Sequence, residues 1–173
     1  MIPSEETETV RTDAFHVTAA SLMTVILTEG FRTDRRGVLG TGAYFDLGSA
    51  TTGLAPARQR YPDQPLAVFR CAVAVGQRLD FDYDETRAQF RRFQRRLSQH
   101  LGRDAMLRLG HGGHVGLFLE TLAEAGEMYH TMRRTFATDG QPRIVVRDAS
   151  RVQVLEVHDV QGGSLLWRPP NLS

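Results

Sequence analysis

A few short stretches of the chain carry residue types that do chemistry. Phe15-His16-Val17-Thr18 places a histidine and a threonine on an expected strand, and Gly40-Thr41-Gly42-Ala43-Tyr44-Phe45 follows, then Ser49-Ala50. Glycines at 37, 40 and 42 would let backbone approach a ligand closely, because glycine has no Cβ. The same run fits a plain hairpin turn carrying a buried tyrosine, and a lone histidine on a strand is more often structural than catalytic. His111 and His114, with His100 or His130, raise a metal site, but their spacing lies in a glycine-rich stretch with no carboxylate at ligand spacing, so no metal is expected. Tyr129-His130 and Arg133-Arg134 could read a phosphate or an acceptor; a cationic helix end is the simpler reading. The one cysteine, Cys71, sits in an apolar run and reads as a buried, inert thiol.

These residues need elements to position them. Asp13 to Thr18 reads as a short strand, with Thr18 as N-cap of a helix over 19–29 and Gly30 as its stop. Residues 32–42 read as a glycine-containing loop, 43–45 as a short strand and 49–60 as a helix opening at Ser49. Leu66 to Val75 is the strongest strand signal, β-branched and aromatic and stopped by Gly76. Asp84 to Leu101 predicts a helix, with Phe90, Phe93, Leu97 and Leu101 at helical spacing. Its arginines at 87, 91, 92, 95 and 96 could touch phosphates or an acidic partner, though a solvated face is commoner. Gly110 to His114 reads as a loop, and 115–128 is ambiguous between strand and helix. Strands are expected at 143–148, 152–160 and 165–167. Strands outnumber helices and gather late, which predicts an α+β fold. Residues 1–12 read as a polar lead-in, and 13–173 as a single domain.

Composition bounds the function classes. The 173 residues are 41% hydrophobic and 24% charged, as in ordinary globular proteins. No apolar run approaches the ~20 residues of a membrane span. The acidic start lacks the basic and apolar regions of a signal peptide, so a cytoplasmic setting, in the producing or a target cell, is expected. A net charge of +1 gives no global field for gripping nucleic acid. All 21 basic residues are arginine. A GC-rich genome accounts for that, and so does selection against lysine in a toxin that avoids ubiquitin attachment.

The order and spacing of the chemistry-bearing stretches over residues 14–60 resemble the amino-terminal half of poly(ADP-ribose) polymerase-like ADP-ribosyltransferases. That family has a His-Gly-Thr strand, a helix, a Gly-Phe, a glycine-rich loop, a Gly-x-Tyr-Phe strand and a Ser-Ala opening a helix. The likeness lapses through 80–140 and returns at Arg143 to Val157. It implies a split antiparallel sheet with flanking helices, NAD as substrate, and a mono-ADP-ribosyltransferase acting on a protein or nucleic-acid acceptor. It is similar in these respects to bacterial toxins and effectors of the family. It implies that Tyr44 stacks on nicotinamide, that the backbone at His16 and Val17 binds the carboxamide, and that the His16 side chain holds the adenosine ribose. Thr18, Gly42 and Ser49 would be secondary contacts.

Two departures stand out. Val17 replaces the family's glycine, which narrows the slot. Arg143 stands where the family has a glutamate that stabilises the cationic transition state. Three explanations stay open. Gln141, Asp139 or Asp148 does the work in a shifted alignment. Or the acid comes from Glu120, Glu124, Glu127 or the substrate. Or the fold binds NAD or ADP-ribose without turnover. Gln141-Pro142-Arg143 also resembles the Gln-x-Glu pair of related toxins with the glutamate lost. An RNA 2′-phosphotransferase-like enzyme is a further class, but its expected cluster of one histidine and several arginines at set places is not evident in the sequence, and an arginine-rich composition makes chance matches easy.

Overall fold

The computed structural model describes residues 10–171, so most of the expected lead-in lies outside the described residues. The chain runs β1 (Arg11–Ala19), a 3₁₀ turn (Ala20–Leu22), α1 (Met23–Glu29), β2 (Arg36–Gly37), β3 (Gly40–Thr41) and β4 (Ala43–Asp46). A 3₁₀ turn (Ala50–Gly53) then leads into α2 (Leu54–Arg60), β5 (Leu66–Ala74) and β6 (Arg78–Asp80). Next come α3 (Asp84–Leu101), α4 (Arg103–Glu124), β7 (Thr131–Thr135), β8 (Pro142–Val146), a 3₁₀ turn (Ala149–Arg151), β9 (Val152–Asp159) and β10 (Leu165–Trp167). The fold is α+β. An eight-stranded sheet has the order β10-β9-β5-β1-β4-β8-β7-β6, and β2 and β3 form a separate hairpin. Among these neighbours only β6 and β7 run parallel.

Strand alternation sends successive side chains to opposite faces. Phe45, Ile144 and Val146 enter a core with Phe31, Phe69 and Val157, under α1. Tyr44 and Val145 face the other way, into a core with Leu39, Phe90, Val115 and Phe118, under α3 and α4. Cys71 is fully buried in the first core, and burial pushes its thiol up to about 12, so it is inert at neutral pH.

The seam between β1 and β4 is the feature that matters most. β1 pairs with β5 residue for residue, from Arg11↔Ala74 to Ala19↔Leu66. It meets β4 at Phe15↔Asp46 alone. The two halves of the sheet splay there and leave a cleft.

Several expectations are corrected. Thr18 is not an N-cap. It is a buried residue of β1 opposite Ala67, because pairing with the strong β5 strand extends β1 to Ala19. Gly110 to His114 is not a loop but lies within α4, which breaks at Gly110 (φ 67°). A glycine run there means close approach rather than freedom: a Cβ at Gly112 would sit 2.0 Å from the Gly37 carbonyl oxygen, so α4 lies directly on the hairpin. Tyr129 to Arg134 is not a helix end but leads into β7. Its Arg133 is accommodated by Asp80 at 3.0 Å and Asp82 at 2.7 Å. Strands are spread along the chain, not gathered late. Among the described residues, no helix is long and apolar enough to cross a membrane.

Candidate active site

A cavity of about 370 Å³ occupies the β1/β4 seam, within the roughly 300–1,000 Å³ usual for small-molecule sites. β1 contributes His16, Val17 and Thr18; β4 contributes Tyr44, Phe45 and Asp46; the turn into α2 contributes Thr52 and Gly53. Arg35, Arg60 and Tyr61 stand at its edge with Phe136 and Arg143. His16 follows the alternation of Ala14 onto the first-core face, whereas Tyr44 and Asp46 belong to the other face. One cavity collects both sets only because the strands part.

His16 is held from below by aromatic rings. Gly30, at φ 83°, turns the chain so that Phe31 enters the core, 5.2 Å from the imidazole and edge-on. Phe45 lies 5.7 Å away on the other side. The His16 Nδ1 lies 2.9 Å from the Tyr44 carbonyl oxygen. A carbonyl can only accept, so Nδ1 carries the proton and donates. Burial lowers the His16 pKa from its ordinary 6.5; the bond to Tyr44 opposes this, and Arg35 and Arg60 add to the lowering. The imidazole is therefore neutral at pH 7, with an Nε2 lone pair able to accept from a ligand hydroxyl. A folded-state pKa below the unfolded one gives stability that is complete above 6.5 and lost as pH falls through the folded value. The thermal midpoint is expected to drop between pH 7 and 5, and His16→Gln to flatten that drop. Equal slopes in the two proteins would exclude His16 as a source.

Tyr44 is fixed at its hydroxyl. It accepts from the Leu39 N–H at 3.0 Å and donates to the Gly40 carbonyl at 2.6 Å. Burial pushes the phenol up to about 12, so it keeps the proton it donates. A Cβ at Gly37 would lie 2.3 Å from this hydroxyl. Gly112 of α4, Gly37 of the hairpin and Tyr44 therefore stack without room for a methyl group. Gly112→Ala gains about 1 kcal/mol of helix propensity but meets backbone, and overpacking of this kind costs roughly 1–3 kcal/mol. A lowered thermal midpoint with weakened ligand binding is expected; a stabilised protein with unchanged binding would show that the hairpin does not set Tyr44.

The other expected site residues divide. Val17 lines the cavity, and its Cγ2 takes space that a Gly53 side chain would need, 3.0 Å from a Cβ built there. Thr18 lines it too. Gly42 does not; its missing Cβ makes room for Val145, at 2.5 Å, within the sheet. Ser49 caps the turn before α2, bonding the Thr51 N–H at 3.2 Å, and stands outside the lining. Gln141 is bonded to Asp139 through its N–H at 2.9 Å and is also outside.

Arg143, on β8, lines the cavity, and its guanidinium is spoken for. Arg143 Nε donates to Asp46 Oδ1 at 3.0 Å, Nη2 pairs with Asp139, and the group lies 4.7 Å over the Phe136 ring. Asp148 caps a 3₁₀ turn through Ser150, and Glu127 accepts from Tyr129. Neither lines the cavity, nor do Glu120 and Glu124. His111 lies 3.4 Å from Arg134, and His114 lies between Gln94 and the Met106 carbonyl.

The cavity also holds Asp46, Arg35, Arg60, Tyr61 and Phe136, which the motifs of the sequence do not single out. Asp46 was within reach: it is two residues beyond Tyr44 on a strand, and thus on the same face. Its burial raises the carboxyl above the usual 3.8 even beside Arg143. Arg35 and Arg60 are exposed and form no ion pair among the described residues. No family model matches the chain, and no curated protein matches it.

Proposed function

We propose that this protein binds NAD in the β1/β4 cleft and transfers its ADP-ribose to an acceptor, as a mono-ADP-ribosyltransferase. One observation carries the reading. His16 and Tyr44, the residues that the family resemblance assigns to the ribose and the nicotinamide ring, come from different strands and faces and line one cavity. Three features support it. The His16 Nε2 is an acceptor suited to a ribose hydroxyl. The Tyr44 ring is pinned at its hydroxyl, which suits it to stacking. Arg35 and Arg60 at the rim, without carboxylate partners, suit the two phosphates of a dinucleotide.

The test is incubation of the purified chain with NAD, following bound NAD and free nicotinamide in the same samples. Binding with release supports a transferase or glycohydrolase. Binding without release supports a fold that senses NAD or ADP-ribose. Absence of both removes the reading.

A second reading has its own support. The cavity gathers one histidine with Arg35, Arg60 and Arg143, the composition expected of an RNA 2′-phosphotransferase-like enzyme. Loss of phosphate from an RNA carrying an internal 2′-phosphate, dependent on NAD, would favour it over transfer to a protein.

A further inference from the structure

We propose that Asp46 is the catalytic carboxylate of this cleft, held in place by Arg143; this rests on the transferase reading above. The cation at position 143 is compensated where it stands, apart from Arg35 and Arg60 at the rim. Arg143 is shared between Asp46 and Asp139, so two carboxylates face one guanidinium and the cluster keeps a net negative charge.

The geometry suits the task. Asp46 follows Tyr44 by two residues, so its carboxylate lies on the same face of β4, and both line the cavity with His16. Its side chain is 13% exposed, which strengthens its field relative to a solvated acid. Oδ1 is fixed by Arg143 at 3.0 Å. Oδ2 has no hydrogen-bond partner among the described residues and lies beside Gly53, where a Cβ would come within 2.8 Å of it. One oxygen is anchored and the other is unpaired, beside Gly53 in the cavity lining. An ion pair whose only role is structural would not need both acids, since Asp139 already pairs with Arg143.

The chemistry balances without a further reactant. The bond between ribose C1′ and the nicotinamide nitrogen breaks, and its electron pair leaves with nicotinamide, which becomes neutral. Positive charge passes to C1′ and the ring oxygen, where the free Asp46 oxygen stabilises it. An acceptor hydroxyl or amide, or water, forms the new bond to C1′ and releases a proton to solvent. Asp46 ends unchanged.

The experiment compares the wild-type chain with Asp46→Asn, following NAD binding, nicotinamide release and thermal midpoint. Asp46→Asn is expected to bind NAD within about threefold of wild type and to release nicotinamide about 100-fold more slowly, the usual size of a lost transition-state contact. The midpoint should hold, because the change removes a buried charge while Arg143 keeps Asp139. Asp46→Asn combined with Arg143→Gln removes both partners and tests a folded protein if the single variant does not fold; slow release is again expected. Release within threefold of wild type in either variant would overturn the assignment, as would joint loss of binding and midpoint in both, which would mark Asp46 as structural. Wild-type protein that binds NAD without release overturns Asp46 but leaves the NAD site. Wild-type protein that neither binds nor releases overturns both.

Discussion

Tyr44→Ala is expected to lower nicotinamide release from NAD by up to about 100-fold. Stacking of an aromatic side chain on a heterocyclic base contributes roughly 1–3 kcal/mol. A loss at the upper end of that range is about 100-fold in affinity or rate, at about 1.4 kcal/mol per tenfold. The substitution also removes the hydroxyl that bonds the Leu39 N–H and the Gly40 carbonyl. Leu39 is fully buried, so its freed N–H costs about 1–3 kcal/mol of stability. Tyr44→Phe separates the two effects. It keeps the ring and loses the hydroxyl, so release should stay within about tenfold of wild type while the thermal midpoint falls by roughly 2–4 °C per kcal/mol lost. Release by Tyr44→Ala at the wild-type rate would mean that the ring is only a core residue and that the nicotinamide lies elsewhere.

The parts of the fold legible in the sequence are those set by local periodicity. α3 spans the expected Asp84–Leu101 because Phe90 and Phe93 recur on one face and Gly102, at φ 74°, stops it. β5 and β9 also lie where their apolar runs put them. The structure departs from the local pattern where a long-range contact decides the outcome. Gly112 reads as loop until the Gly37 backbone lies against it. Thr-Met-Arg-Arg-Thr at β7 reads as a charged helix end until Asp80 and Asp82 neutralise Arg133. The site was half legible for the same reason. His16 and Tyr44 are marked by neighbouring sequence. Asp46 shares a strand face with Tyr44 and is legible to that extent, but its pairing with Arg143, 97 residues away, and the splay between the strands are encoded by no local pattern.

Phe45→Ala is expected to destabilise the protein by about 3–5 kcal/mol, the range for truncating a buried phenylalanine. The ring is 1% exposed and packs edge-on against Phe31 at 4.9 Å. At roughly 2–4 °C per kcal/mol for a chain of this size, the thermal midpoint should fall by about 10 °C. That loss is a large share of the ~5–15 kcal/mol that holds a typical domain together. The effect should reach the site as well as the core. Phe45 sits between Tyr44 and Asp46 on β4, and its ring supports His16 from the face opposite theirs. A cavity beneath the imidazole would let it leave the Tyr44 carbonyl, so NAD binding should weaken even at temperatures where the variant is folded. Phe45→Leu fills most of the space and is expected to stay within about 1.5 kcal/mol of wild type. A Phe45→Ala protein with lowered midpoint but unchanged NAD affinity would show that the bond to Tyr44 alone fixes His16. If affinity and midpoint fall together, the aromatic core is part of the site, and the splayed seam works as a cleft because its floor is rigid.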